Sequence, residues 1–292
     1  MCSMSHKGKM RIARGILLAV TIICLAFLAQ ASFSSYRQRR QQQALQEMRG
    51  KVVKAVRPAE ISPGPEETIP STAKPEETIP PSAEPEETPP PAFTPEPVML
   101  ERYEALYREN SDLVGWLSIE DMVIDYPVMQ CEDDEYYLHH DFYGEDSKYG
   151  CLYVRDRADV NTPGTNFIIY GHNMKDGSMF GDLDLYQKES FFLEHPTICF
   201  DTLYEERTYE IVAVFRSRVY RSDEEGFRYY QFYEAQTQEE FDDFYGNIKE
   251  LSLYDTGVTA QYGDNFLTLS TCAYHVEDGR FAIVAKEVST AE

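Results

Sequence analysis

The chain has 292 residues, a formal net charge of −23 at pH 7 and six cysteines, a length that suits one large domain or two small ones. The charge is uneven: residues 1–57 hold eleven Lys and Arg against one acidic residue, which leaves −33 on the remainder. So acidic a globular part is unsuited to nucleic acid, whose phosphates need Lys and Arg, and the absence of any CxxC pair argues against a zinc ribbon or a dense disulfide framework.

The first element is an apolar run over 15–36, opening GILLAVTIICLAFLA and preceded by Lys7, Lys9, Arg11 and Arg14. Its continuously apolar part, about 15–17 residues, sits at the short edge of a membrane span. Two readings compete: a signal anchor, with 1–14 as a basic cytoplasmic tail, or a secretory signal cleaved near Ala29-Gln30-Ala31, which has the small-x-small form. The anchor is the expectation carried forward. Orientation stays open on charge alone, because seven basic residues from Arg37 to Arg57 follow the run while four lie closer on its N-terminal side. The basic flanks make anionic membrane lipid the expected neighbour.

Residues 37–60 read as a basic juxtamembrane segment, with 44–56 either a short helix or simply part of that basic stretch. Over 61–97 the composition changes: PEETIP at 65–70 recurs as PEETIP at 75–80 and PEETPP at 85–90. Proline removes donors and the glutamates repel, so this Pro/Glu-rich linker is expected to be disordered and to bury no core. Its expected role is a semi-rigid spacer of about 3 Å per residue, on the order of 100 Å in all.

A folded domain is expected over 98–292. Pro97 can open a helix carrying Met99, Leu100, Tyr103, Leu106 and Tyr107 on one face, and Ser111-Asp112-Leu113-Val114-Gly115-Trp116-Leu117 begins another short element. Seven apolar or alternating runs follow, at 123–129, 150–154, 166–170, 197–200, 209–220, 266–272 and 280–288, which predicts a mainly β barrel or sandwich rather than alternating βα units. Cys131, Cys151 and Cys199 leave one disulfide open. Phe227 to Tyr233 is aromatic-rich and reads as core or groove wall. One helix interrupts the β pattern, with Phe241, Phe244, Tyr245, Ile248 and Leu251 at helical spacing behind a Thr237/Glu240 capping box.

The chemistry-bearing residues sit at strand ends. In NFLTLSTC, alternation puts Thr268, Ser270 and Cys272 on one face and Leu267, Leu269 and Thr271 on the other. Val276-Glu277-Asp278-Gly279 is a turn signal, and after it Arg280, Ala282 and Val284 share a face. His172 leaves a buried-strand signal in Ile168-Ile169-Tyr170-Gly171-His172-Asn173. A thiol becomes a strong nucleophile once ionised, an imidazole exchanges protons near neutral pH, and a guanidinium stabilises the oxyanion of an attacked carbonyl. Each residue also has a structural reading: buried free cysteine, capped histidine, surface arginine. His275, three residues past Cys272, is a second candidate base, but two ligands make a poor metal site. His6, His139, His140 and His195 have no partner pattern. No metal and no cofactor is expected.

Thr268-Leu269-Ser270-Thr271-Cys272, then Asp278-Gly279-Arg280 and Val284-Ala285-Lys286, resembles the C-terminal signature of sortases, and Tyr170-Gly171-His172-Asn173-Met174 resembles their histidine motif. Asp112 to Leu117, Ile124-Asp125-Tyr126-Pro127-Val128 and Tyr136-Tyr137-Leu138 match in order, and with the late inserted helix the pattern is most similar to class B sortases. The resemblance covers nearly all of 98–288 and none of the Pro/Glu repeat. It implies a sortase-like closed β-barrel of about seven to eight strands with N-terminal helices, and a cysteine transpeptidase in the cell membrane of a Gram-positive bacterium, single-pass, with its catalytic domain outside. Cys272 would be nucleophile, His172 general acid and base, and Arg280 the positioning and oxyanion-stabilising group; Ser270 and Thr271 would be substrate-groove residues by position. The substrate would be a surface protein with an LPxTG- or NPxTx-like sorting signal, cleaved after threonine through a thioester. The acceptor would be an amine of a cell-wall precursor or a pilin. Ala273-Tyr274-His275-Val276 departs from the more acidic or aromatic run of many class B members, which bears on substrate choice. The rivals are a secreted cysteine peptidase that only hydrolyses, separated by transfer to an added amine, and a non-catalytic stalked surface module, separated by Cys272→Ala.

Overall fold

A computed structural model describes residues 6–53, 97–273 and 276–288, with backbone alone for 6–16, 31 and 51–53. The Pro/Glu repeat and His275 lie outside the described residues. Helix α1 (His6–Val53) and helix α2 (Glu101–Glu109) precede the strands β1 (Leu113–Ser118) and β2 (Asp125–Met129). The short helix α3 (Tyr136–His139) leads to β3 (Leu152–Tyr153) and β4 (Asn166–Gly171). After helix α4 (Glu189–Glu194) come β5 (Thr197–Thr202) and β6 (Thr208–Arg218), then helix α5 (Gln238–Leu251), β7 (Phe266–Cys272) and β8 (Gly279–Glu287).

The strands close into one eight-stranded barrel in the order β1-β2-β3-β4-β7-β8-β6-β5. Two pairs are parallel, β2 with β3 and β4 with β7, and the rest are antiparallel. Closure removes the unpaired edges that a sandwich would leave, so the barrel expectation is met. The eighth strand comes from the Leu113–Leu117 run, which pattern alone left unassigned.

Alternation decides which side chains fill the barrel. Phe167, Ile169, Leu267, Leu269, Phe281 and Ile283 point inward with Leu117, Val128, Phe200 and Val214. Each such buried side chain contributes roughly 1.5–3 kcal/mol. Outward-facing Val212, Phe266, Ala282 and Val284 are covered by the β6–β7 connection, which brings Tyr229, Phe241, Phe244 and Ile248 against them. The cap forms as expected on one side: Thr237 Oγ1 accepts from the Glu240 amide at 3.2 Å, while the Glu240 carboxylate accepts from the amide of Gln236, one residue before the cap, at 2.7 Å. Helix α2 starts at Glu101 rather than at Pro97, because the Leu100 amide is taken by the Leu203 carbonyl at 2.7 Å and the chain there stays extended.

Helix α1 departs from expectation. It continues unbroken through the apolar run and the basic segment to Val53, and it is long and apolar enough to cross a membrane. Every described side chain from Leu17 to Phe33 is exposed, whereas from Ser34 onward one face is covered. Leu45 is buried among Tyr103, Leu106 and Trp116. Arg49 pairs with Asp125 at 3.0 Å and with Asp201 at 3.3 Å, its guanidinium 5.0 Å from the Trp116 ring. The amides of Gln42 and Gln46 donate to the Asp125 carbonyl. The basic juxtamembrane segment is thus helical through Val53, the helical alternative for this stretch, and its described part packs against the barrel domain.

Candidate active site

Three neighbouring strands converge at one end of the barrel. Strands β4 and β7 run parallel with Tyr170 opposite Ser270 and Gly171 opposite Thr271. One residue further, the same register sets His172 level with Cys272. On the other side of β7, Cys272 is paired directly with Arg280 of β8. Adjacent strands lie about 4.8 Å apart, and directly opposed residues share a face with Cβ atoms roughly 5 Å apart. Sulfur, imidazole and guanidinium thus sit in the order His172, Cys272, Arg280 across one sheet end. All three are part-exposed, and their face is the outer one.

Local hydrogen bonds hold the three in place. His172 Nε2 lies 2.8 Å from the Leu138 carbonyl at the end of α3. A carbonyl only accepts, so Nε2 carries hydrogen and Nδ1 is the atom left to exchange a proton. Gly150, at φ +59°, brings that turn in close: a Cβ there would stand 2.4 Å from the Tyr137 carbonyl oxygen and 2.8 Å from that of Leu138. The Asn173 side chain donates to the Cys272 carbonyl at 2.9 Å and to Asp184 at 3.3 Å. Thr271 Oγ1 donates to the Gly171 carbonyl at 2.7 Å. Among the described residues the Arg280 fork bonds through Nη1, to the carbonyls of Gly279 at 3.0 Å and Asp278 at 3.4 Å. Among the described residues no carboxylate lies within ion-pair reach of it.

Ser270 and Thr271 are each 2% exposed. Ser270 shares the outer face with Cys272, but its hydroxyl is bonded at 2.8 Å to the hydroxyl of Tyr229; Thr271 faces inward. Neither side chain is presented to solvent, because the β6–β7 connection covers the one and the barrel packing the other.

Sequence reasoning reached one wall of the site, Tyr233 in the aromatic run, and missed the others. Beside it a cavity of about 260 Å³ is lined by Arg155, Arg157, Ile168, Tyr170 and Tyr233. Tyr153 stacks on Tyr170 at 5.5 Å, and Arg155 lies 5.3 Å from the Tyr170 ring. The Tyr170 hydroxyl is buried without a hydrogen-bond partner among the described residues, an atom a ligand could satisfy. Burial pushes Tyr153 up to about 12, with Cys272 and Arg280 near enough to act on it with opposite sign, and burial likewise raises Tyr229 to about 12. The signals were present in part: Asn173 adjoins His172, Leu138 lies in a matched motif, and Tyr229 falls in the aromatic stretch.

The other candidates have structural uses. His140 stacks on Tyr136 and bonds its carbonyl at 2.7 Å; His195 lies 3.1 Å from the Phe191 carbonyl. Cys131, Cys151 and Cys199 are free thiols, and burial raises the Cys151 thiol well above its usual range. Among the described residues no group of side chains is arranged to hold a metal ion.

Comparison with known proteins adds independent findings. A family model described as the Sortase domain matches residues 117–288. Sortase B of Listeria monocytogenes is 36% identical over 190 residues, covering 63% of this chain and 73% of that protein. The crystal structure of sortase B from Bacillus anthracis in complex with AAEK1 is similar at a TM-score of 0.58 and 35% identity, over 66% of this chain and 90% of that one. A Staphylococcus aureus sortase B–substrate complex gives a TM-score of 0.60 at 27% identity, over 66% and 87%.

Proposed function

The chain belongs to the sortase family of cysteine transpeptidases, and we propose that Cys272 is its nucleophile, His172 its general acid and base, and Arg280 the group that steadies the reacting carbonyl. Its similarity is to class B enzymes, and the family's activity is the anchoring of surface proteins. The observation that carries the residue assignment is the register that pairs Gly171 with Thr271 and Cys272 with Arg280, with His172 the residue that follows β4 at the same barrel end.

The thiolate of Cys272 attacks the threonine carbonyl carbon of an LPxTG- or NPxTx-like signal. The resulting oxyanion meets the Arg280 fork, which among the described residues has no carboxylate partner to release first; a planar fork suits this task as a lysine does not. Collapse breaks the C–N bond, the leaving amine takes a proton from His172 Nδ1, and the acyl group remains on sulfur as a thioester. An amine of a wall precursor or a pilin then attacks, gives a proton back to the imidazole, forms the new amide and frees the thiolate. Ser270 and Thr271 act as supports of the strand under Cys272, not as side chains that touch substrate. The Tyr170 cavity takes the polar part of the signal, with its unpartnered hydroxyl as the donor or acceptor. Helix α1 is the single-pass anchor, and the catalytic domain stands outside, where substrate and acceptor meet.

The test is mass spectrometry of the full chain mixed with a panel of LPxTG- and NPxTx-type peptides. The expected result is an acyl adduct on Cys272 that an added amine discharges, and none with Cys272→Ala. Adducts only on Cys131 or Cys199 would refute the assignment of the nucleophile. Water-only product in the presence of amine would favour a hydrolytic peptidase.

A further inference from the structure

The Pro/Glu repeat reads in sequence as a stalk that lifts the catalytic domain away from the membrane. The path of α1 contradicts this. The described side chains from Leu17 to Phe33 are all exposed, and Ser35 already bonds the Tyr149 hydroxyl of the barrel domain at 2.8 Å. At 1.5 Å rise per residue, the end of the bare stretch and the first contact are about 3 Å apart. Contacts then continue down one face for four turns: Gln38, Gln42, Leu45, Gln46 and Arg49. The far end of this interface is anchored by buried polar groups. Trp116 Nε1 donates to the Asp125 carboxylate at 2.6 Å, Tyr103 donates to Asp201 at 2.6 Å, and Arg49 closes both. The chain leaves for the repeat only after Val53, and it returns at Pro97 into α2, which itself packs against α1. Both ends of residues 54–96 are therefore on the same body. A connection tied at both ends to one rigid body changes no distance between that body and the membrane.

We propose that α1 is a rigid strut that seats the catalytic barrel directly on the lipid headgroups, so that the height of the barrel above the membrane is set by α1 and not by the length of the Pro/Glu repeat. The proposal rests on the reading of 15–36 as a membrane anchor. The surface it assigns to the membrane lies where α1 leaves lipid: Phe33, Tyr36, Arg37, Arg40 and Tyr143, at the upper end of a cavity of about 620 Å³ that runs down the helix past Asp141 to Glu47; Arg37 pairs with Asp141 at 3.7 Å while staying more than half exposed, and Lys148 stands alongside, 4.8 Å from the Tyr149 ring. Aromatic side chains at an apolar boundary, followed at once by arginines, match the headgroup layer, and each cation near an anionic surface adds attraction. Without them a domain and repeat carrying −33 would be held off such a surface. The occupant is an anionic phospholipid headgroup layer. Through the strut, the site on the barrel end has a fixed height above the membrane, so its partners must meet it close to the bilayer.

Neutron reflectometry on the full chain in a supported bilayer of three parts phosphatidylcholine to one part phosphatidylglycerol tests the seat. The expected profile has protein density abutting the headgroups, unchanged when residues 65–94 are deleted. A hydrated gap of tens of ångströms that shrinks on deletion would overturn the proposal. In Leu45→Asp/Arg49→Ala the strut is undocked and the expected profile gains such a gap; no change there would also count against it. Hydrogen exchange on the chain in detergent micelles tests the docking without a bilayer: amides of 44–49 should be protected at least about 100-fold beyond the same amides in the double variant. Equal exchange of 44–49 in the two proteins refutes docking. A chain that is washed from the bilayer by alkaline carbonate while keeping protection at 44–49 refutes the anchor reading instead, so the two failures are told apart.

Discussion

Arg280 illustrates how much rests on one side chain's freedom. Its fork spends one nitrogen on the carbonyls of Gly279 and Asp278 and is paired with Cys272 across the strands. Arg280→Lys keeps the charge and loses the planar pair of donors. Turnover of a sorting peptide should fall by about 10²–10³-fold, the usual loss for one oxyanion donor, with thermal stability unchanged; full activity would exclude the oxyanion role. Ser270 and Tyr229 make the opposite case, a pair that matters by being satisfied. Both hydroxyls are buried and bonded only to each other's oxygen at 2.8 Å. Tyr229→Phe or Ser270→Ala strands one polar atom, at about 1–3 kcal/mol. The double variant should cost less than the sum of the two, measured by urea denaturation as a double-mutant cycle. Exact additivity would mean that the bond contributes nothing.

At the scale of elements, the site depends on how closely β4 approaches its neighbours. A Cβ on Gly171 would stand 2.4 Å from Leu152 Cδ2 and 2.8 Å from Phe180 Cδ2, both buried core atoms. Gly171→Ala should therefore cost about 1–3 kcal/mol as overpacking. It should also lower kcat more than the stability loss explains, since His172 is the next residue; calorimetry and peptide turnover on the same sample check both. The strands that carry the site were legible because alternation there is clean: Leu267, Leu269, Phe281 and Ile283 face in, and Ser270, Cys272, Arg280 and Ala282 face out, as the period of two requires. Helix α5 was legible from its cap and its Phe241, Phe244 and Ile248 face. Helices α3 and α4 were not, because four and six residues carry too little period to read. The docked half of α1 escaped for a different reason. Its covered face is built from Gln38, Gln42, Gln46 and Arg49 around a single buried Leu45, and glutamines and arginines look like a solvated surface until the facing Asp125 and Asp201 are known. Parallel pairing of β4 with β7, which brings His172 beside Cys272, is likewise invisible in a linear pattern, since nothing local to either strand encodes its partner.

Across the whole molecule the phenols form a common ledger with pH. Burial raises Tyr103, Tyr126, Tyr137, Tyr153, Tyr170, Tyr186, Tyr209, Tyr229 and Tyr254 above their ordinary value; Tyr126, Tyr153 and Tyr229 reach about 12. A group whose folded value is raised above its unfolded value stabilises the fold fully below the unfolded value, here about 10, and loses that contribution as pH climbs through the folded value. Between about pH 10 and 12 the unfolded chain binds fewer protons than the folded one, so stability falls with rising pH. Each such phenol contributes a slope of up to about 1.4 kcal/mol per pH unit, and several acting together exceed the usual 5–15 kcal/mol stability of a domain within that window. The barrel should therefore unfold before its buried tyrosines titrate in place. Absorbance at 295 nm should show an early phase from exposed phenols near pH 10 with far-ultraviolet circular dichroism intact, then a second, steep phase that coincides with loss of the dichroism signal. A single phase near pH 10 that ionises all 21 tyrosines with the fold preserved would mean that these rings are not buried as the barrel and its covering connection require. Because Tyr229 backs the strand of Cys272 and also packs edge-on against Phe215 at 5.4 Å, activity should disappear with the second phase and not with the first.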